Sequence, residues 1–155
     1  MNLEEETHIF DVGDQTALVC MTSSAGQKTV TAQLMDLNYK VHLGLYEEDA
    51  LLKLGTYNYD IIVIDENFRG ACEQENPIVH EMVERAGAAR REHFVVLLSQ
   101  HLPTNDAMSA FVQSVDQIIN FADLENFKPV LRRGVVQHGD LYRPFLEAIK
   151  AARAS

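Results

Sequence analysis

Two periodicities alternate along this chain, and the switches between them outline its elements. Short apolar runs of strand length occur at Thr16–Met21, Ile61–Ile64, Phe94–Leu98 and Gln117–Asn120. The second of these, inside Tyr59-Asp60-Ile61-Ile62-Val63-Ile64-Asp65, has four branched aliphatic residues in succession. That pattern suits a strand buried on both faces of a parallel sheet. Tyr39–Leu45 alternates instead, with Tyr39, Val41, Leu43 and Leu45 on one side and Lys40 and His42 on the other. It predicts a strand near the sheet edge, exposed on one face.

Helical spacing fills the intervals. Val30, Leu34 and Leu37 recur within Ala25–Asn38, after the hydroxyl residues Thr22-Ser23-Ser24, which suit a helix N-cap. Glu47, Glu48 and Asp49 open a helix with acids where the macrodipole favours them, and Ala50, Leu51 and Leu54 form its stripe. Further helices are predicted over Pro77–Gly87 and after a cap at Asn105 or Asp106, the latter bearing Met108, Phe111, Val112 and Val115. Another begins near Leu124, with Phe127, Leu131 and Val135 in phase. A break is expected at His138-Gly139, followed by a final helix over Tyr142–Ala152 whose Phe145, Leu146 and Ile149 pack back on the domain or on a second copy.

Strand and helix thus alternate five times with short connections, which predicts a three-layer α/β/α sandwich. Right-handed crossovers favour a flavodoxin-like, five-stranded parallel sheet of order 2-1-3-4-5, here with an extra C-terminal helix. The expected organisation is an acidic N-terminal extension (1–15), one domain (16–136) and a C-terminal helical extension (137–155). In such sheets, chemistry gathers at the carboxyl ends of the strands. Asp65 ends the central run, so it reads either as a site residue or as an anchor for the following loop.

Charge narrows the choice of partner. Residues 1–75 carry 14 acidic against 4 basic side chains, whereas 76–155 carry 9 of each. A net charge of −10 repels phosphate backbones and argues against a nucleic-acid partner, although Arg90, Arg91, Arg132 and Arg133 could form a local basic patch. No apolar stretch approaches membrane-spanning length, and the expected location is cytoplasmic. Cys20 lies in an apolar run as a core residue, and Cys72 follows the loop after Asp65. The six histidines lack metal-ligand spacing.

From these residues the chain resembles the receiver domain of bacterial two-component response regulators, over about residues 16–136. Leu37-Asn38-Tyr39-Lys40-Val41 is similar to the family's turn into its second strand, and Glu48-Asp49-Ala50-Leu51 to the start of its second helix. Tyr59–Asp65 is similar to the strand ending in the phosphoacceptor Asp, and Gly70 to the glycine of the turn beyond. The resemblance implies a signalling domain that takes a phosphoryl group on Asp65 with the help of Mg²⁺.

The same comparison implies that this site is degenerate. The family's two metal-binding acids are replaced by Met21 and Thr22, its lysine by Asn120 and its switch aromatic by Gln117. Only Asp65 and the hydroxyl residue Ser99 remain, so Met21, Thr22, Asn67, Ser99 and Asn120 would line the remaining pocket. A hard cation needs several oxygen ligands, which this set does not supply; Glu66 offers a second carboxylate, but strand alternation points it away from Asp65. The expectation is a non-enzymatic, two-component-type signalling module without a cofactor, acting by protein–protein interaction with a regulatory protein or a second copy. Its contact face would comprise the Asp106–Val115 helix, the Gln117–Asn120 strand and the helix from Leu124. The alternatives are a working phosphoacceptor at Asp65 that uses Mg²⁺, and a small-ligand sensor built on the crevice above Asp65.

Overall fold

The computed structural model describes residues 13–68 and 93–154, with backbone alone for 140–147, 149, 150, 153 and 154. Five strands form one parallel sheet: β1 (Gln15–Cys20), β2 (Tyr39–Leu43), β3 (Ile61–Asp65), β4 (Phe94–Ser99) and β5 (Gln117–Asn120), in the order β2-β1-β3-β4-β5. Four α-helices are described: α1 (Ser24–Asp36), α2 (Glu47–Thr56), α3 (Ala107–Gln113) and α4 (Phe127–Ala154). A 3-10 segment, Phe121–Asn126, leads into α4. Gly70, Cys72, the Pro77–Gly87 helix, Arg90, Arg91 and the 1–12 part of the acidic extension lie outside the described residues, as do the side chains of Phe145, Leu146 and Ile149.

Side-chain alternation along the strands builds two cores. Leu18, Cys20, Ile62, Ile64, Val95 and Leu97 pack toward Ala50 and Leu54 of α2 and Ala110 of α3. Their neighbours Ala17, Val19, Ile61, Val63, Val96 and Leu98 pack toward Val30 and Leu34 of α1 and Phe127 and Leu131 of α4. Every residue of β3 and β4 is buried, as a strand covered on both faces requires. Fully burying Phe127 and Leu131 contributes about 1.5–3 kcal/mol each before ordering costs and clamps α4 to the sheet. Gln33 of α1 tightens the same clamp, donating to the Leu124 carbonyl and accepting from the Lys128 N–H.

Two local expectations need correction. The extra C-terminal helical segment is present, but as an unbroken continuation of α4: the chain does not break at His138-Gly139. A helical glycine costs only about 1 kcal/mol relative to alanine, so it permits a break without imposing one. His42, assigned to an exposed face of β2, is buried beneath α2, with Nδ1 2.7 Å from the Tyr59 hydroxyl. Met108, Phe111 and Val112 of α3, on the expected contact face, are 72%, 82% and 68% exposed. Ala110 alone anchors that helix among the buried residues. Among the described residues, no helix is long and apolar enough to cross a membrane.

Candidate functional site

Parallel pairing brings the ends of β1, β3, β4 and β5 to one edge. Asp65 pairs with Leu98 and Ser99 with Asn120, placing Asp65, Ser99 and Asn120 along it. Asp65 is 2% exposed. Its Oδ2 accepts from the Thr22 N–H at 3.1 Å and its Oδ1 from the Asn67 N–H at 2.9 Å. The Thr22 hydroxyl donates to the Asn67 carbonyl, tying the end of β1 to the turn after β3. Met21 is buried against the start of α1: a Cβ on Gly26 would come within 2.8 Å of its Cε. The end of β1 therefore contributes an apolar side chain, a hydroxyl and a backbone donor.

Glu66 turns toward the other side of the edge. It is 5% exposed and spans to β4, where Oε2 accepts from the Ser99 hydroxyl and Oε1 from the Gln100 N–H, both at 2.8 Å. Ser99 Oγ also accepts from the N–H groups of His101 and Leu102. A serine hydroxyl has one donor and two acceptor positions, and all three are filled. Asn120 serves the adjoining loop: its Nδ2 donates to the Leu102 carbonyl, and its Oδ1 accepts from Ala122 to cap the 3-10 segment. Thr104 accepts from the Asn120 N–H and donates to Asp123.

At the start of β5, Gln117 turns inward. Its Nε2 donates to Asn105 Oδ1 and to the Val130 carbonyl of α4, while its buried Oε1 has no hydrogen-bond partner among the described residues. The Val130 carbonyl can only accept, which fixes the orientation of the amide. Gly134 makes room for it: a Cβ there would lie 2.6 Å from Gln117 Oε1. Between α3 and α4 above this residue opens a groove of about 640 Å³, lined among others by Phe94, Ala110, Phe111, Arg133 and His138. Arg132 and Arg133 are exposed on α4.

The sequence-selected residues thus divide. Met21, Thr22, Asn67 and Asp65 meet at one end of the edge, Ser99 and Asn120 serve the β4–α3 loop, and Gln117 belongs to the groove. Glu66 as a partner of Ser99 escaped sequence reasoning; its one local mark was a second acid directly after a strand-ending acid. Magnesium does not fit the described residues around Asp65: Met21 brings no oxygen, both Asp65 oxygens accept backbone N–H groups, and Glu66 is engaged elsewhere. No group of three or more His, Cys, Asp or Glu side chains among the described residues is placed to hold a metal ion.

Burial and hydrogen bonding shift a few other titratable groups. Burial pushes the Cys20 thiol far above its ordinary value, and burial likewise raises the Tyr59 phenol. The Ser109 side chain and N–H hold the Asp106 carboxyl, the N-cap of α3, below its usual range.

No protein-family model and no curated protein sequence matches this chain. Solved structures do match, among them response regulators and receiver domains. A chemotaxis response regulator of Vibrio cholerae superposes with a TM-score of 0.62 at 17% identity, over 78% of this chain and 98% of that one. The receiver domain of a sensor histidine kinase from Pseudomonas aeruginosa, with magnesium coordinated in its active-site cleft, gives 0.60 at 18% identity, over 79% and 98%. An orphan response regulator of H. pylori gives 0.59 at 14%, over 79% and 97%. The chain therefore has the flavodoxin-like fold of response-regulator receiver domains.

Proposed function

We propose that this chain is a non-enzymatic signalling module of two-component type, with a degenerate phosphorylation site, that acts by binding a protein partner. The carrying observation is the state of Asp65: both carboxylate oxygens accept backbone N–H groups, one of them from Thr22 where a metal-binding acid would be needed. Phosphoryl transfer to an aspartate needs a cation to neutralise the developing charge, and the surrounding side chains favour none. Binding falls to the face made by α3, β5 and the first half of α4, where three large apolar side chains stand in water beside the groove. The chain's net charge of −10 as a whole disfavours nucleic acid, and a cytoplasmic signalling or regulatory protein is the partner. The functional unit is the domain over 16–136, with the helical extension after it.

Incubation with Mg²⁺ and acetyl phosphate, followed by intact mass measurement, tests the site. The expected mass is unchanged; gain of one phosphoryl group, lost in Asp65→Asn, would make the chain a working phosphoacceptor. A photo-crosslinking residue at position 111 tests the face, with position 52 on exposed α2 as control. Crosslinks to a protein from 111 and not from 52 are expected; equal yields would reject the face.

A further inference from the structure

We infer that Glu66 is a built-in anion that holds the β4–α3 loop, and through it the partner-binding face, in one fixed arrangement without any added phosphoryl group. The inference rests on the reading of the site as degenerate and names how that site is regulated: by a carboxylate of the chain itself.

The geometry carries it in steps. Glu66 follows the last residue of β3, and its own N–H still pairs with the Leu98 carbonyl, so its backbone is fixed by the sheet. Its side chain reaches across to β4, where its two oxygens take a hydroxyl and a backbone N–H, both at 2.8 Å. Charge-assisted hydrogen bonds of this kind are about twice as strong as neutral ones, and burial excludes competing water. The Ser99 hydroxyl thereby has its proton committed to Glu66 and both lone pairs committed to His101 and Leu102. A second anion arriving at this edge would find these two donors, the Ser99 hydroxyl and the Gln100 N–H, already taken.

The clasp extends into the face through a continuous set of contacts. Leu102, held by Ser99, gives its carbonyl to Asn120 Nδ2. Asn120 binds Thr104 through its N–H. The next residue, Asn105, has a left-handed backbone with φ +65° and donates its N–H to the Ile118 carbonyl of β5. Its side chain receives Gln117 Nε2, which also reaches the Val130 carbonyl of α4. Asp106 then caps α3, the helix that presents Phe111. The loop from Ser99 to Asp106 is thus tied at its start to Glu66 and along its length to β5, and it sets where α3 begins.

Amide hydrogen exchange on the full chain tests this directly. In Glu66→Ala, exchange at Gln100, His101 and Leu102 should rise by about ten- to a hundredfold, as Gln100 loses its acceptor and Ser99, which receives the other two, loses its anchor. Exchange should rise in α3 as well, while β1 and β3 keep their protection. Acetate, a small carboxylate able to enter the vacated space, should restore protection where an equal concentration of chloride does not. Glu66→Gln, which keeps one acceptor oxygen and preserves the fold, should fall between the two. Unchanged exchange at Gln100–Leu102 in Glu66→Ala, or a rise spread evenly over the whole sheet, would overturn the inference. The failures are separable: a phosphoryl group found on Asp65 removes the degenerate-site reading, whereas unchanged loop exchange removes the clasp and leaves the Asp65 reading intact.

Discussion

The carboxyl edge of the sheet and the outer surface of α3 differ in how they treat the side chains placed there. At the edge, polar residues are buried and matched: Asp65 takes two backbone donors, Glu66 takes two donors of the β4–α3 loop, and Ser99 uses its full capacity. On α3, apolar residues are exposed: Met108, Phe111 and Val112 lie in water beside the groove that Gln117 floors. In the first region the Ser99 hydroxyl is fully committed, so a ligand that needs it must displace a bond already made. The second has apolar area still to bury, the condition under which association is favourable. On the degenerate-site reading proposed above, the carboxyl edge is closed and the adjacent face open.

Substitutions at the two regions should therefore have opposite signatures, and the largest effect on stability is expected at Ser99. Ser99→Ala removes only the hydroxyl and leaves Glu66, His101 and Leu102 each short of a partner. Each unsatisfied group costs about 1–3 kcal/mol, so a total loss of about 3 kcal/mol or more should appear in urea denaturation. A loss below about 1 kcal/mol would mean the edge is looser than its hydrogen bonds indicate. Asp65→Asn comes next, at about 1–2 kcal/mol, because an amide offers one acceptor oxygen where two N–H groups now point and sets its own donor against the other. The smallest effect on stability belongs to Phe111→Ser: within about 0.5 kcal/mol, since the ring already lies in water. The same change should sharply weaken partner capture from that face. A clear drop in melting temperature for Phe111→Ser would show that the ring is packed, and would undo the contrast.

Much of the fold is legible in the sequence, for a physical reason. Strands buried on both faces must be apolar at nearly every position, so β3 and β4 stand out as runs, and short connections between alternating elements restrict the topology. The positions of Asp65, Ser99 and Asn120 at the strand ends followed from the same pattern. Failures occurred where a local pattern had to decide a non-local question. The spacing of Met108, Phe111 and Val112 identifies a stripe, but not whether any other element covers it. Alternation along β2 assigned His42 to the open side, yet Tyr57, Tyr59 and α2 cover that side. Alternation turns Glu66 away from Asp65, as the structure has it, but does not name its partner Ser99, which lies 33 residues further on and a strand away. Gly139 was read as a break because glycine permits one, although the flanking residues continue the helix.

The amide resonances of Thr22 and Asn67 offer the most direct test of the closed edge, because both N–H groups point at the oxygens of Asp65. Mg²⁺ titrated into the folded protein up to millimolar concentration should leave both resonances in place, with no difference between the native chain and Asp65→Asn beyond the substitution itself. Saturable shifts of the two amides at submillimolar Mg²⁺, abolished by Asp65→Asn, would show a metal held by Asp65 and contradict a degenerate site.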